Sequence, residues 1–176
     1  GTSRQLWFGR VETKEAAREL QEKYAVRDRC VWCDAAFEKH AVFKECAEYG
    51  WIACFGSHHQ SWRHDLPAQT PGGPPKKVYL PFSPWQQTAV ARRLVNYLYF
   101  SEDFAADILA AAYSGRGLKY EAPDDTPPTY HDQMKGEHKV QKKGRWVWEK
   151  LYATRANHAF DTGKMAICFA LLMKLI

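Results

Sequence analysis

The stretch Cys30-Val31-Trp32-Cys33-Asp34-Ala35-Ala36-Phe37, together with the segment that runs on to Phe55, decides the fold. An apolar run that closes on an aspartate reads as a buried strand with Asp34 at its C-terminal end. Glu38 to Tyr49 then places Ala41, Val42, Cys46 and Tyr49 at helical spacing, and Gly50 is positioned to stop that helix. Trp51 to Phe55 reads as the next short strand. A strand, a helix and a strand in that order form a crossover, the connection that parallel neighbours require.

Working outward, Gln5 to Val11 reads as an earlier strand, and Thr13 is a fit N-cap for a helix from Lys14 to about Tyr24. Ala17, Leu20 and Tyr24 fall on one face of that helix, and Arg27-Asp28 makes the turn into the strand that ends at Asp34. The resulting β-α-β-α-β order predicts an α/β sheet. Downstream, Ser57 to Pro75 is polar and reads as a long loop. Val78 to Phe82 is a strand candidate, Trp85 to Arg93 a short helix, Asn96 to Ser101 a strand and Asp103 to Tyr113 an alanine-rich helix. Ala122 to Pro128 reads as a second loop, and Trp146-Val147-Trp148 as an edge strand or hairpin. Asn157-His158-Ala159-Phe160-Asp161 opens a last helix, Thr162 to Ile176. No repeat and no second domain boundary is evident, so a single domain over 1–176 is expected.

A chain of 176 residues buries roughly two-thirds of its unfolded surface. With 45% hydrophobic and 14% aromatic residues it can build a packed core, which excludes wholesale disorder. The net charge of +5 permits contact with nucleic acid without demanding it. Cys30, Cys33, Cys46, Cys54 and Cys168 make an odd count in a chain that is not cysteine-dense, so reduced thiols in a cytosolic protein are expected. The longest apolar stretch, Met165 to Ile176, is too short to span a bilayer and is interrupted by Lys174, so no membrane is expected. Gly1-Thr2-Ser3 reads as an expression scar, and the sequence is expected to start partway into a larger protein.

Two aspartates at structural junctions carry the candidate chemistry. A carboxylate in or beside an apolar run is costly unless its charge is compensated. Asp34 and Asp161, each on a rigid element, are the raw material of a divalent-metal site. The competing reading makes Asp34 a turn residue and Asp161 a helix N-terminal charge. His158 flanks Asp161 and can orient its carboxylate or meet a phosphate. Lys135, Lys139, Lys142, Lys143 and Arg145, followed by Trp146 and Trp148, interleave cations with aromatics, which suits a phosphate backbone or a solvated face. Cys30 and Cys33, three apart on a strand, would point to opposite faces and share no ion. His58-His59 sits where a strand exits, a place for ligands or an ordinary loop. No Walker loop, GxGxxG or GxSxG occurs.

The chain resembles the C-terminal nuclease domain of the large terminase subunit of tailed bacteriophages. The resemblance is carried by Phe8-Gly9-Arg10-Val11, Gln21-x-x-Tyr24-x-Val26, Val31 to Phe37, Val42-Phe43-x-x-Cys46-x-x-x-Gly50-Trp51 and Phe55-Gly56-Ser57. It continues in Gln133-Met134-x-Gly136-Glu137, Trp148 and Asn157-His158-x-x-Asp161, and is weakest at 67–75 and 83–130. It implies an RNase H-like mixed sheet flanked by helices, with acids on a first strand, a fourth strand and a C-terminal helix. Those acids hold Mg²⁺ or Mn²⁺ and cut concatemeric double-stranded DNA during genome packaging. Asp34 and Asp161 take the places of the fourth-strand and terminal-helix acids, so their carboxylates are expected to meet, within about 8 Å. Lys139, Lys142, Lys143 and Arg145 would hold the DNA backbone. The first-strand acid is expected upstream of Leu6, with Glu12, Asp103, Glu137 or a neighbouring chain as substitutes. The resemblance also implies a terminase ATPase domain, a small subunit and a portal as partners, in the cytoplasm of an infected host. A non-catalytic module of the same fold that binds DNA or docks to a partner, and a host or plasmid nuclease, remain alternatives.

Overall fold

A computed structural model describes residues 2–67, 73–152 and 156–175. The strands are β1 (Thr2–Arg4), β2 (Trp32–Asp34), β3 (Ile52–Ser57), β4 (Trp62–Leu66), β5 (Lys76–Leu80), β6 (Gln86–Val90), β7 (Arg93–Ser101), β8 (Lys119–Glu121), β9 (Glu137–Lys142) and β10 (Arg145–Lys150). The helices are α1 (Lys14–Lys23), α2 (Lys39–Tyr49), α3 (Glu102–Tyr113), α4 (Pro128–Met134) and α5 (His158–Leu172). The chain is thus mixed α/β, and it divides into two compact units: Arg10–Ser101, and Gly1–Gly9 with Glu102–Ile176.

The Arg10–Ser101 unit is built on a four-stranded mixed sheet of order β2-β3-β7-β6. β2, β3 and β7 run parallel, and β6 closes one edge antiparallel to β7. The β2-α2-β3 crossover is the one read from the sequence. α2 buries Phe43, Cys46 and Ala47, which join Ala35, Trp51, Ala53, Phe55 and Val95 in one core cluster. Gly50 ends α2 with φ of 74°, the left-handed conformation that glycine adopts without a Cβ penalty. Thr13 caps α1, its hydroxyl accepting from Ala16 N at 3.2 Å. β4 and β5 form a separate antiparallel hairpin.

Several expectations are corrected. Gln5–Val11 is not a strand. β1 pairs with β8 and Gln5 N donates once more to Glu121 O, after which the three-residue partner strand has run out. Trp85–Arg93 is not a helix: Gln86 to Val90 alternates half-buried and exposed residues, the period of a strand. It turns into β7 through Ala91 and Arg92, both at positive φ (48° and 66°). The loop expected over Ser57–Pro75 contains β4, and its positions 68–72 lie outside the described residues. Cys30 lies in a 3-10 turn, Asp28–Cys30, not in β2. The last helix starts at His158, which puts Asp161 inside its first turn.

In the second unit, α3 packs on α5 and α4 packs on α5. Gly163 lets α5 approach α3, since a Cβ there would fall 2.6 Å from Leu109 Cδ2. β9 and β10 form the hairpin expected over the basic run, joined by Lys143 (φ 47°) and Gly144 (φ 77°) in the left-handed turn that suits a two-residue hairpin. Trp148 anchors it, with its ring 5.5 Å from that of Phe160 and its Nε1 donating to Asp107 Oδ1 at 2.9 Å.

Candidate metal centre

The start of α5 is held by residues from the end of α4 and the start of β9. Gln133 Oε1 accepts from Ala159 N at 3.0 Å and so satisfies one of the free donors of the helix N-terminus. Gly136 N donates to Gln133 O at 3.1 Å, and a Cβ on Gly136 would lie 3.4 Å from Asn157 Cβ. This close approach brings Glu137, the next residue, against α5.

Asn157 does not cap α5 with its side chain. Instead its Nδ2 donates to Glu137 Oε1 at 2.5 Å and to Asp161 Oδ1 at 3.2 Å. One amide nitrogen therefore ties two carboxylates together. Lys164, one turn along α5, completes the group: Nζ is 2.8 Å from Asp161 Oδ1 and 3.6 Å from Glu137 Oε1. The Lys164 and Glu137 side chains are 7% and 8% exposed, whereas Asp161 is 37% exposed and faces solvent on one side.

The charges inside the cluster are strongly linked. Burial raises the Glu137 carboxyl above its ordinary value; Lys164 and Asn157 pull it back, and Asp161 and Glu102 push it further up. Burial lowers the Lys164 ammonium, but Asp161, then Glu137 and Glu102, outweigh it and hold it above its usual range. Lys164 is a charged group inside the protein because carboxylates surround it.

Asp34 belongs to the other unit. It is exposed at the end of β2, and its Oδ1 accepts from Ala36 N at 2.9 Å, an Asx-type turn. The turn role anticipated for it is therefore filled, and it occupies one oxygen. His158 is exposed, and the residue that braces Asp161 is Asn157. The sequence carried a signal for this in Gln133-Met134-x-Gly136-Glu137 and Asn157-His158-x-x-Asp161, two separate fragments that the fold makes into one contact.

The basic run divides in two. Lys139 is bound to both Asp107 oxygens at 2.6 and 2.7 Å, and Lys142 pairs with Glu149. Lys143 and Arg145, at the hairpin tip beside Trp146 (59% exposed), have no ion pair among the described residues. All five cysteines are free, with Cys46, Cys54 and Cys168 buried.

The donor set can be matched against a divalent ion. Among the described residues no group of three or more His, Cys, Asp or Glu side chains is arranged to hold a metal. Glu137 and Asp161 supply hard carboxylate oxygens, and the outward exposure of Asp161 leaves room for water. Mg²⁺ keeps several of its waters and is commonly held through one or two carboxylates, so the pair fits one such ion. No described helix is long and apolar enough to cross a membrane. No protein-family model, no curated protein and no solved structure matches this chain.

Proposed function

We propose that this chain is a metal-dependent DNA endonuclease domain of RNase H-like type, of the kind that cuts concatemeric double-stranded viral DNA in the large subunit of a phage terminase. The observation that carries the reading is the Glu137–Asn157–Asp161 junction. Two fragments on which the resemblance rests, 20 residues apart at Glu137 and Asn157, meet in a part-buried contact in which one amide links two carboxylates. In this reading the 1–176 chain acts as one nuclease module.

The residues divide the work. Gln133 and Asn157 fix the N-terminal turn of α5 and aim the two carboxylates. Glu137 and Asp161 would hold Mg²⁺ or Mn²⁺, which when bound polarises a phosphate and makes hydroxide available near neutral pH. Lys143 and Arg145 would meet the DNA backbone, giving affinity that depends on salt and little on sequence.

A second reading, a non-catalytic module of the same fold that binds DNA or docks to a partner, is favoured by one feature. Lys164 already neutralises part of the acid pair that a metal would use. Nicking of supercoiled plasmid with Mn²⁺ separates the two. A nuclease relaxes the plasmid, and Asp161→Asn abolishes relaxation while the circular dichroism spectrum is unchanged. Plasmid binding with no relaxation by the parent, even when the chain is extended upstream, selects the non-catalytic module.

A further inference from the structure

Two carboxylates that face each other inside a protein repel, and in a two-metal nuclease that repulsion is relieved by ions about 4 Å apart, bridged by shared carboxylate oxygens. Here one oxygen of each acid, Glu137 Oε1 and Asp161 Oδ1, is already approached by a cation of the chain itself. Lys164 Nζ touches Asp161 Oδ1 at 2.8 Å, lies 3.6 Å from Glu137 Oε1, and is held there on a helix with its side chain 7% exposed. A buried lysine of this kind is not a mobile surface charge. Its position is set by the α5 backbone, three residues after Asp161, and by Glu137 from β9.

We propose that Lys164 is a fixed positive charge standing in for the second metal ion, so that this centre takes one divalent cation and not two. The inference rests on the metal-centre reading above and adds its stoichiometry. The charge balance supports it. Glu137 and Asp161 bring two negative charges against one ammonium, so a single dication already more than neutralises the pair. A second dication would bring the positive charges, with Lys164, to five against two carboxylates. The geometry supports it as well: the inner oxygens are spent on Lys164 and Asn157, and the solvent-facing side of Asp161 remains for an ion and its waters. Lys164 is in this sense a positioning and charge-setting residue, acting through the carboxylates it holds.

Counting bound Mn²⁺ by electron paramagnetic resonance tests this directly. The relevant ions are those whose binding Asp161→Asn removes, which sets aside adventitious surface sites. The parent is expected to hold one such ion. Lys164→Met, which keeps the length of the side chain and removes its charge, is expected to hold a second ion or to bind the first at least tenfold more tightly. It should also show a larger rise in melting temperature on adding Mn²⁺ than the parent. Lys164→Arg keeps the charge and is expected to restore one ion at parental affinity. Two Asp161-dependent ions in the parent, or unchanged count and affinity in a folded Lys164→Met, overturn the role of Lys164 while leaving a metal centre in place. If Lys164→Met does not fold, the parental count and Lys164→Arg decide. No Asp161-dependent ion in the parent overturns the metal-centre reading and this inference with it.

Discussion

Gln21 shows how a single side chain can explain a sequence fragment. It is buried on α1 and makes four hydrogen bonds. Its Nε2 donates to Val26 O and Asp28 Oδ1, both at 2.8 Å, and its Oε1 accepts from Trp51 Nε1 at 2.8 Å and Arg18 Nη1 at 3.0 Å. The glutamine therefore ties α1 to the turn before β2 and to the start of β3. Gln21→Leu should cost about 2 kcal/mol in urea unfolding, because the buried indole N–H loses its acceptor and nothing of the right shape replaces it. A loss below about 0.5 kcal/mol would mean that water or another acceptor takes over. Asn157 is the counterpart in the second unit; its fragment was visible in the sequence, but its pairing with Glu137 was not. An asparagine before a helix reads as an N-cap, and only the approach of Gly136 turns its amide toward Glu137 instead.

Elements with complete local signals were legible. α1 has its cap in Thr13, α2 its stop in Gly50, and the β2-α2-β3 crossover its apolar runs at the right spacing. Elements whose form depends on a partner were not. The stretch Gln5–Val11 has strand-like residues but no strand to pair with beyond Glu121. β6 lacks a turn signal, because its reversal into β7 uses Ala91 and Arg92 in left-handed conformations that sequence reading assigns to Gly or Asn. The β9–β10 hairpin was legible as a hairpin, but the division of its cations was not, since Asp107 and Glu149 are supplied from α3 and from across the hairpin. Replacing Lys143 and Arg145 together by Ala should weaken duplex DNA binding on every sequence and reduce the slope of log affinity against log salt by about 1.8. Lys139→Ala should leave that slope nearly unchanged, because its charge is spent on Asp107. Filter-binding titrations at several salt concentrations check both, and an equal effect of the two changes would return the whole run to one undivided surface.

For the whole molecule, burial of thiols predicts how stability ends at high pH. Burial pushes Cys168 on α5 from 9.0 up to about 12. Below about pH 9 the thiol is neutral in both folded and unfolded chains and costs nothing. Between about 9 and 12 the unfolded chain releases its proton and the folded chain retains it, so stability falls as pH rises. Cys168→Ala should flatten the decline in urea midpoint across that range relative to the parent. Parallel declines would show that the thiol is reached by solvent.

The central claim is that Glu137 and Asp161 form one metal-holding nuclease centre, and Glu137→Gln tests it most directly. The amide keeps the side chain's shape and can still meet Asn157 and Lys164, but it removes the charge a hard divalent ion needs. With Mn²⁺ and supercoiled plasmid, Glu137→Gln should lose the rise in melting temperature that Mn²⁺ gives the parent, and nick at least a hundredfold more slowly. A Glu137→Gln protein that binds Mn²⁺ and nicks as the parent does would contradict the claim, leaving the junction as a buried ion-pair network that only holds α5 in place.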